Sequence, residues 1–146
     1  MKQPLRFRVY PTATSRLFVR VVVYDSETTM LAASDGERLA PKPAEAVEDV
    51  PTATTREWIA WRVDANGHRR RDPCVAEIHL VADRSGMRVV SHEAFHATLA
   101  WGRRIRFDWK RLGQEDGVLA EEALAYLHGD ICRIIVDRLY QAGEYQ

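Results

Sequence analysis

The stretch from Val118 to Tyr140 constrains the fold more than any other part of the chain. It holds no proline, and Leu124, Leu127, Ile131, Ile134 and Ile135 recur at the three-, four- and seven-residue spacings of one helix face. A strip of small residues, Ala125, Gly129, Cys132 and Val136, runs beside that stripe. A helix apolar over so wide an arc must be covered on two sides. The rest of the chain therefore has to supply both a sheet and a second helix.

The preceding residues read as those partners. Leu5, Phe7 and Val9 alternate with Arg6, Arg8 and Tyr10, the period of a strand, until Pro11 removes a backbone donor. Arg16 to Tyr24 is rich in valine and suits a central strand. Thr28 to Ala33 is expected to form a short partner strand. Gly36, Pro41, Pro43 and Pro51 mark residues 34–55 as a long surface loop. Glu57 to Val63 regains strand character, and Asn66-Gly67 is a hairpin signal. Cys74 to Ala82 is expected to be the last strand, of edge type. Met87 to Trp101 then reads as a helix that stops near Gly102, with a polar connection from Gly102 to Gly117. The expectation is one α+β domain over residues 1–146. It has an N-terminal, mostly antiparallel sheet of four or five strands, followed by two packed helices.

Charge excludes little but does rank the partners. Lys and Arg total 21 and Asp and Glu total 21, so the net charge gives no global pull toward nucleic acid or an anionic membrane. Local basic runs remain. Five basic residues interleave with Trp101, Phe107 and Trp109 between Trp101 and Arg111, and a second run is His68-Arg69-Arg70-Arg71. The N-terminal residues lack the apolar core of a signal peptide. The most apolar run, Leu17 to Tyr24, contains Arg20 and is too short to span a membrane. A cytoplasmic location is expected. The two cysteines, Cys74 and Cys132, lie in separate elements and read as free thiols.

Residues 92 to 96 read His-Glu-Ala-Phe-His inside the first expected helix. Positions i and i+4 share a helix face, so two imidazoles can meet one metal ion there, with a carboxylate beside them. Zinc accepts imidazole and carboxylate ligands, and it lowers the pKa of a bound water toward ~7. The next helix carries Glu121 and Glu122 near its start. On the helical wheel Glu121 lies nearer the centre of the apolar arc and Glu122 at its edge.

On His92-Glu93-Ala94-Phe95-His96 and the later Glu121-Glu122-Ala123-Leu124-Ala125-Tyr126, residues 74–140 resemble the gluzincin branch of the zincin metallopeptidases. The small size resembles minimal, phage-type domains of that kind. The resemblance implies one zinc ion held by His92, His96 and a glutamate of the next helix. Glu122 fits the family pattern, with Ala125 three residues on, and Glu121 is the alternative. It implies Glu93 as general base and a peptide or protein as substrate, laid along the strand Cys74 to Ala82. Tyr126 stands where many gluzincins have an aspartate. It is the catalytic candidate to stabilise the oxyanion, with His128 and His79 as further candidates by residue type. The alternative reading is a zincin-like binding protein without catalysis, which could contact nucleic acid through residues 101–111.

Overall fold

A computed structural model of the chain describes residues 3–37 and 53–144. In chain order the elements are strands β1 (Leu5–Val9) and β2 (Phe18–Tyr24), helix α1 (Glu27–Glu37), strands β3 (Ala53–Glu57), β4 (Trp61–Val63), β5 (Arg69–Arg71) and β6 (Cys74–Val81), and helices α2 (Met87–Arg104) and α3 (Val118–Gln141). β1, β2, β6 and β3 form a four-stranded sheet in that order, and β4 with β5 forms a separate two-stranded ribbon. β1 runs antiparallel to β2, β2 parallel to β6, and β6 antiparallel to β3. The architecture is α+β, with a mixed sheet and two packed C-terminal helices.

Alternation decides which residues meet the helices. Phe7, Val9, Val19, Val21, Val23, Ala76, Ile78 and Leu80 share a core with Val90, Ala94, Ala97, Ile131, Ile135 and Leu139. These strand residues occupy one sheet face, so α2 and α3 cover that face together. The opposite face places Val22, Tyr24 and Val81 against Met30 and Ala33 of α1. Each large aliphatic side chain buried in this way stabilises by roughly 1.5–3 kcal/mol.

The α1 side also buries a polar chain. Tyr24 Oη and His79 Nδ1 share a hydrogen bond of 2.8 Å, and His79 Nε2 lies 2.7 Å from Glu77 Oε1. Arg20 Nη1 donates to Glu77 Oε2 at 2.8 Å, and its guanidinium lies over the Trp58 ring. Burial pushes the Glu77 carboxyl up, but the bonds from His79 and Arg20 outweigh it and hold the group down at about 2.

Four sequence expectations are corrected. Residues 28–33 belong to helix α1, not to a strand. Ser26 Oγ accepts the Thr29 amide at 3.2 Å, a cap that favours a helix start over the β-branched Thr28-Thr29 pair. The surface loop expected over 34–55 is bounded by structure, since α1 runs through Glu37 and β3 starts at Ala53; residues 38–52 lie outside the described residues. Cys74–Val81 is not an edge strand. It is buried along its whole length, between β2 and β3, which takes up both its hydrogen-bonding edges. The strand expected from Glu57 to Val63 is also broken: β3 ends at Glu57 and β4 begins at Trp61. The Asn66-Gly67 hairpin is present, with Gly67 at φ 77°. Cys74 and Cys132 are both buried free thiols. Among the described residues no helix is long and apolar enough to cross a membrane.

Candidate metal centre

The centre rests on α2. Its buried positions, Val90, Glu93, Ala94, Ala97, Ala100 and Trp101, recur at helical spacing. Alanines at the contact let the helix axis approach the sheet closely. Once that face is committed to the core, the i and i+4 pair His92 and His96 is turned out to solvent. His92 Nε2 and His96 Nε2 lie 3.2 Å apart, and their ring centroids lie 4.8 Å apart at 74°. Two nitrogens bound tetrahedrally to one zinc at about 2.0–2.1 Å would sit about 3.3 Å from each other. The separation is close to that of two such ligands, and it is also that of a hydrogen bond from one ring to the other.

Glu93 is turned inward and is 6% exposed. A carboxylate at that depth needs a partner. Thr55, on edge strand β3, supplies it: its hydroxyl bonds to Glu93 Oε2 and also reaches the Glu93 carbonyl at 3.2 Å. Thr55 pairs in register with Ile78, which places it on the α2 side of the sheet. The second oxygen, Oε1, lies 4.0 Å from His92 Nε2. The carboxylate is thus anchored through one oxygen while the other lies on the side of His92. The sequence reading missed Thr55 because it assigned that residue to a loop. The β-branched pair Thr54-Thr55, running into Arg56-Glu57, was the available signal.

The later residues are placed unevenly. Glu121 and Glu122 are both exposed on the first turns of α3. Glu121 Oε1 accepts the Gly113 amide at 2.7 Å, closing the connection before the helix. Glu122 has no hydrogen-bond or ion-pair partner among the described residues. Among those residues no group of three or more His, Cys, Asp or Glu side chains is placed to hold a metal ion. The structure thus brings together His92, His96 and Glu93, and does not bring either glutamate of α3 to them. Tyr126 is exposed. His79 is buried on the α1 side of the sheet, across from α2, in the chain with Tyr24 and Glu77. His128 is the candidate that touches α2. Its Nε2 lies 3.0 Å from the Ser91 carbonyl oxygen, and its ring meets Phe95 edge-on with centroids 5.9 Å apart.

A cavity of about 430 Å³ opens between α2 and α3 one residue before His92, lined in part by Met87, Ser91, His128, Gly129, Cys132 and Val136. Cys132 Sγ lies 3.6 Å from His128 Nε2. Burial pushes the Cys132 thiol up, so it stays protonated at neutral pH and is a poor nucleophile. No protein-family model, curated protein or solved structure matches the chain.

Proposed function

We propose that the chain is a zinc-dependent hydrolase acting on peptide bonds. The observation that carries this reading is the convergence of His92 and His96 at 3.2 Å beside a buried carboxylate anchored by Thr55. A surface histidine pair alone has no use for an adjacent carboxylate held in place from another strand. A general base does, because proton transfer depends on position before it depends on pKa.

His92 and His96 would hold zinc, with Glu122 as third ligand and Glu121 as the alternative. The lack of any partner for the Glu122 carboxylate supports that choice, since Glu121 is engaged by the Gly113 amide. Bound zinc supplies Lewis-acid activation of water and of a carbonyl. Glu93 takes the proton of the attacking water at Oε1, the oxygen that Thr55 does not use, and returns it to the leaving nitrogen. Tyr126 and His128 are the residues proposed to stabilise the oxyanion. The substrate lies extended along β3, the edge strand beside α2, since β6 has no free edge. Backbone pairing there accepts many sequences.

Glu93→Gln tests the reading. It keeps the shape and the Thr55 contact and removes the base. The expected outcome is zinc binding and fold as in the wild type, with turnover of a peptide substrate down at least about a hundredfold. Unchanged turnover would overturn the mechanism.

A further inference from the structure

We propose that the β4–β5 ribbon is a docking surface for double-stranded nucleic acid, held by its Trp61, Val63, Arg69 and Arg71 face. This site is separate from the histidine pair and does not depend on the hydrolase reading.

The two faces of the ribbon differ in how their charge is satisfied. The cross-strand pairs are Trp61 with Arg71, Arg62 with Arg70, and Val63 with Arg69. Residues directly opposite share a face. One face therefore shows Arg62 and Arg70. Both are neutralised, Arg62 by Asp72 at 3.0 Å and Arg70 by Asp64 at 3.1 Å. The other face shows Trp61, Val63, Arg69 and Arg71, and among the described residues neither arginine there has a carboxylate partner. Arg69 lies over the Trp61 ring, 5.0 Å from its centroid, and Arg71 Nε is buried with no hydrogen-bond partner. Trp61 is 53% exposed and Val63 72% exposed. The cation–π contact engages the Trp61 ring but leaves the charges of Arg69 and Arg71 without a carboxylate among the described residues. The phosphates of a polyanion would pair with the exposed Arg69, and its groove wall would cover the Trp61 ring and Val63.

The base of the ribbon adds charge to the same end of the molecule. Arg104, at the end of α2, donates to the Asp72 carbonyl at 2.8 Å and so sits beside the strand that carries Arg71. Burial and then the charge of Arg71 push the Arg104 guanidinium down. Arg71 and Arg104, far apart in sequence, thus lie close together at the base of the ribbon. The aromatic residues of the 101–111 run are spent elsewhere. Trp101 is buried, and the Trp109 ring packs so closely on Gly102 that a Cβ there would lie 2.4 Å from it. Phe107 packs on Trp109 with ring centroids 5.0 Å apart, and Trp61 is the exposed ring beside Arg69.

Shape selects the partner. A two-stranded ribbon fits a duplex major groove, which is about 12 Å wide and 8.5 Å deep. The turn is held stiff by Asp64, whose Oδ1 accepts the amides of Asn66 and His68, each at 2.9 Å. Arg69 and Arg71 offer the planar fork that matches phosphate oxygens in pairs.

The test is fluorescence anisotropy of a labelled, mixed-sequence DNA duplex titrated with the full chain across a salt series. Binding that weakens steeply with salt is expected. Arg69→Ala with Arg71→Ala should lower the log–log salt slope by about 2 and weaken binding at least about tenfold. Arg69→Glu should weaken it further, Trp61→Ala should weaken it at every salt concentration, and Arg138→Ala and His96→Ala should leave it unchanged. Circular dichroism of each variant confirms that the fold is intact. No duplex binding at low salt would overturn the proposal. So would a slope unaffected by the ribbon variants, or equal affinity for polyglutamate or for a single strand of the same sequence.

Discussion

Glu93 shows how much one residue's role depends on a neighbour from another element. Its Oε2 is bonded by the Thr55 hydroxyl, leaving Oε1 for the histidine side. Thr55→Val removes that donor at nearly constant volume and leaves a buried carboxylate short of a partner. The expected cost is about 1–3 kcal/mol in urea denaturation, together with a fall in kcat larger than any change in KM. Thr55→Ser should restore much of both. Glu77 makes a different prediction. Its carboxyl is held at about 2, below the ~4.3 of an unfolded glutamate. A depressed carboxyl contributes stability that is fully present above the unfolded value and is lost as pH falls through the folded one. Stability should therefore decline between about pH 4 and about pH 2, and Glu77→Gln should flatten that part of the curve while lowering stability at pH 7. The residue-scale signals were legible in part: His92, Glu93 and His96 declared themselves by spacing, whereas Thr55 had no motif around it and became visible only through its contact.

At the scale of elements, close approaches decide what can change. At Gly117, just before α3, a Cβ would lie 1.7 Å from the Arg111 carbonyl oxygen, whereas at Gly102 it would meet the Trp109 ring at 2.4 Å. Backbone cannot step aside as a side chain can. Gly117→Ala should therefore destabilise more than Gly102→Ala, which should cost about 1–3 kcal/mol; thermal unfolding of both variants measures the order. The two C-terminal helices were legible because their apolar spacing is long and regular. Helix α1 was not, because Thr28 and Thr29 suggested a strand and its capping serine was easily passed over. Cys74–Val81 was expected as an edge strand, yet it is central, and it carries two polar residues, Glu77 and His79. Both are in fact buried, satisfied by Arg20, Tyr24 and each other.

Over the whole molecule, the α+β class followed from the order of strand-like and helix-like patterns. The parallel pairing of β2 with β6 could not, since it joins residues far apart in sequence and leaves no local mark. The same holds for the approach of Arg71 to Arg104 at the end of α2, which brings together two basic residues far apart in sequence. The proposed metal centre lies where α2 meets edge strand β3, and its completion depends on α3. Among the described residues that third contribution is not in place. Glu122→Ala and Glu121→Ala, compared for retained zinc, should lose the ion in the first variant and keep it in the second.

Zinc content is the most direct test of the central claim. It is measured by elemental analysis on protein purified without a metal-affinity tag, wild type beside His96→Ala. One zinc per chain in the wild type, lost in His96→Ala with the fold intact by circular dichroism, is the predicted result. A wild-type protein that carries no zinc and takes none up when it is added would contradict the account.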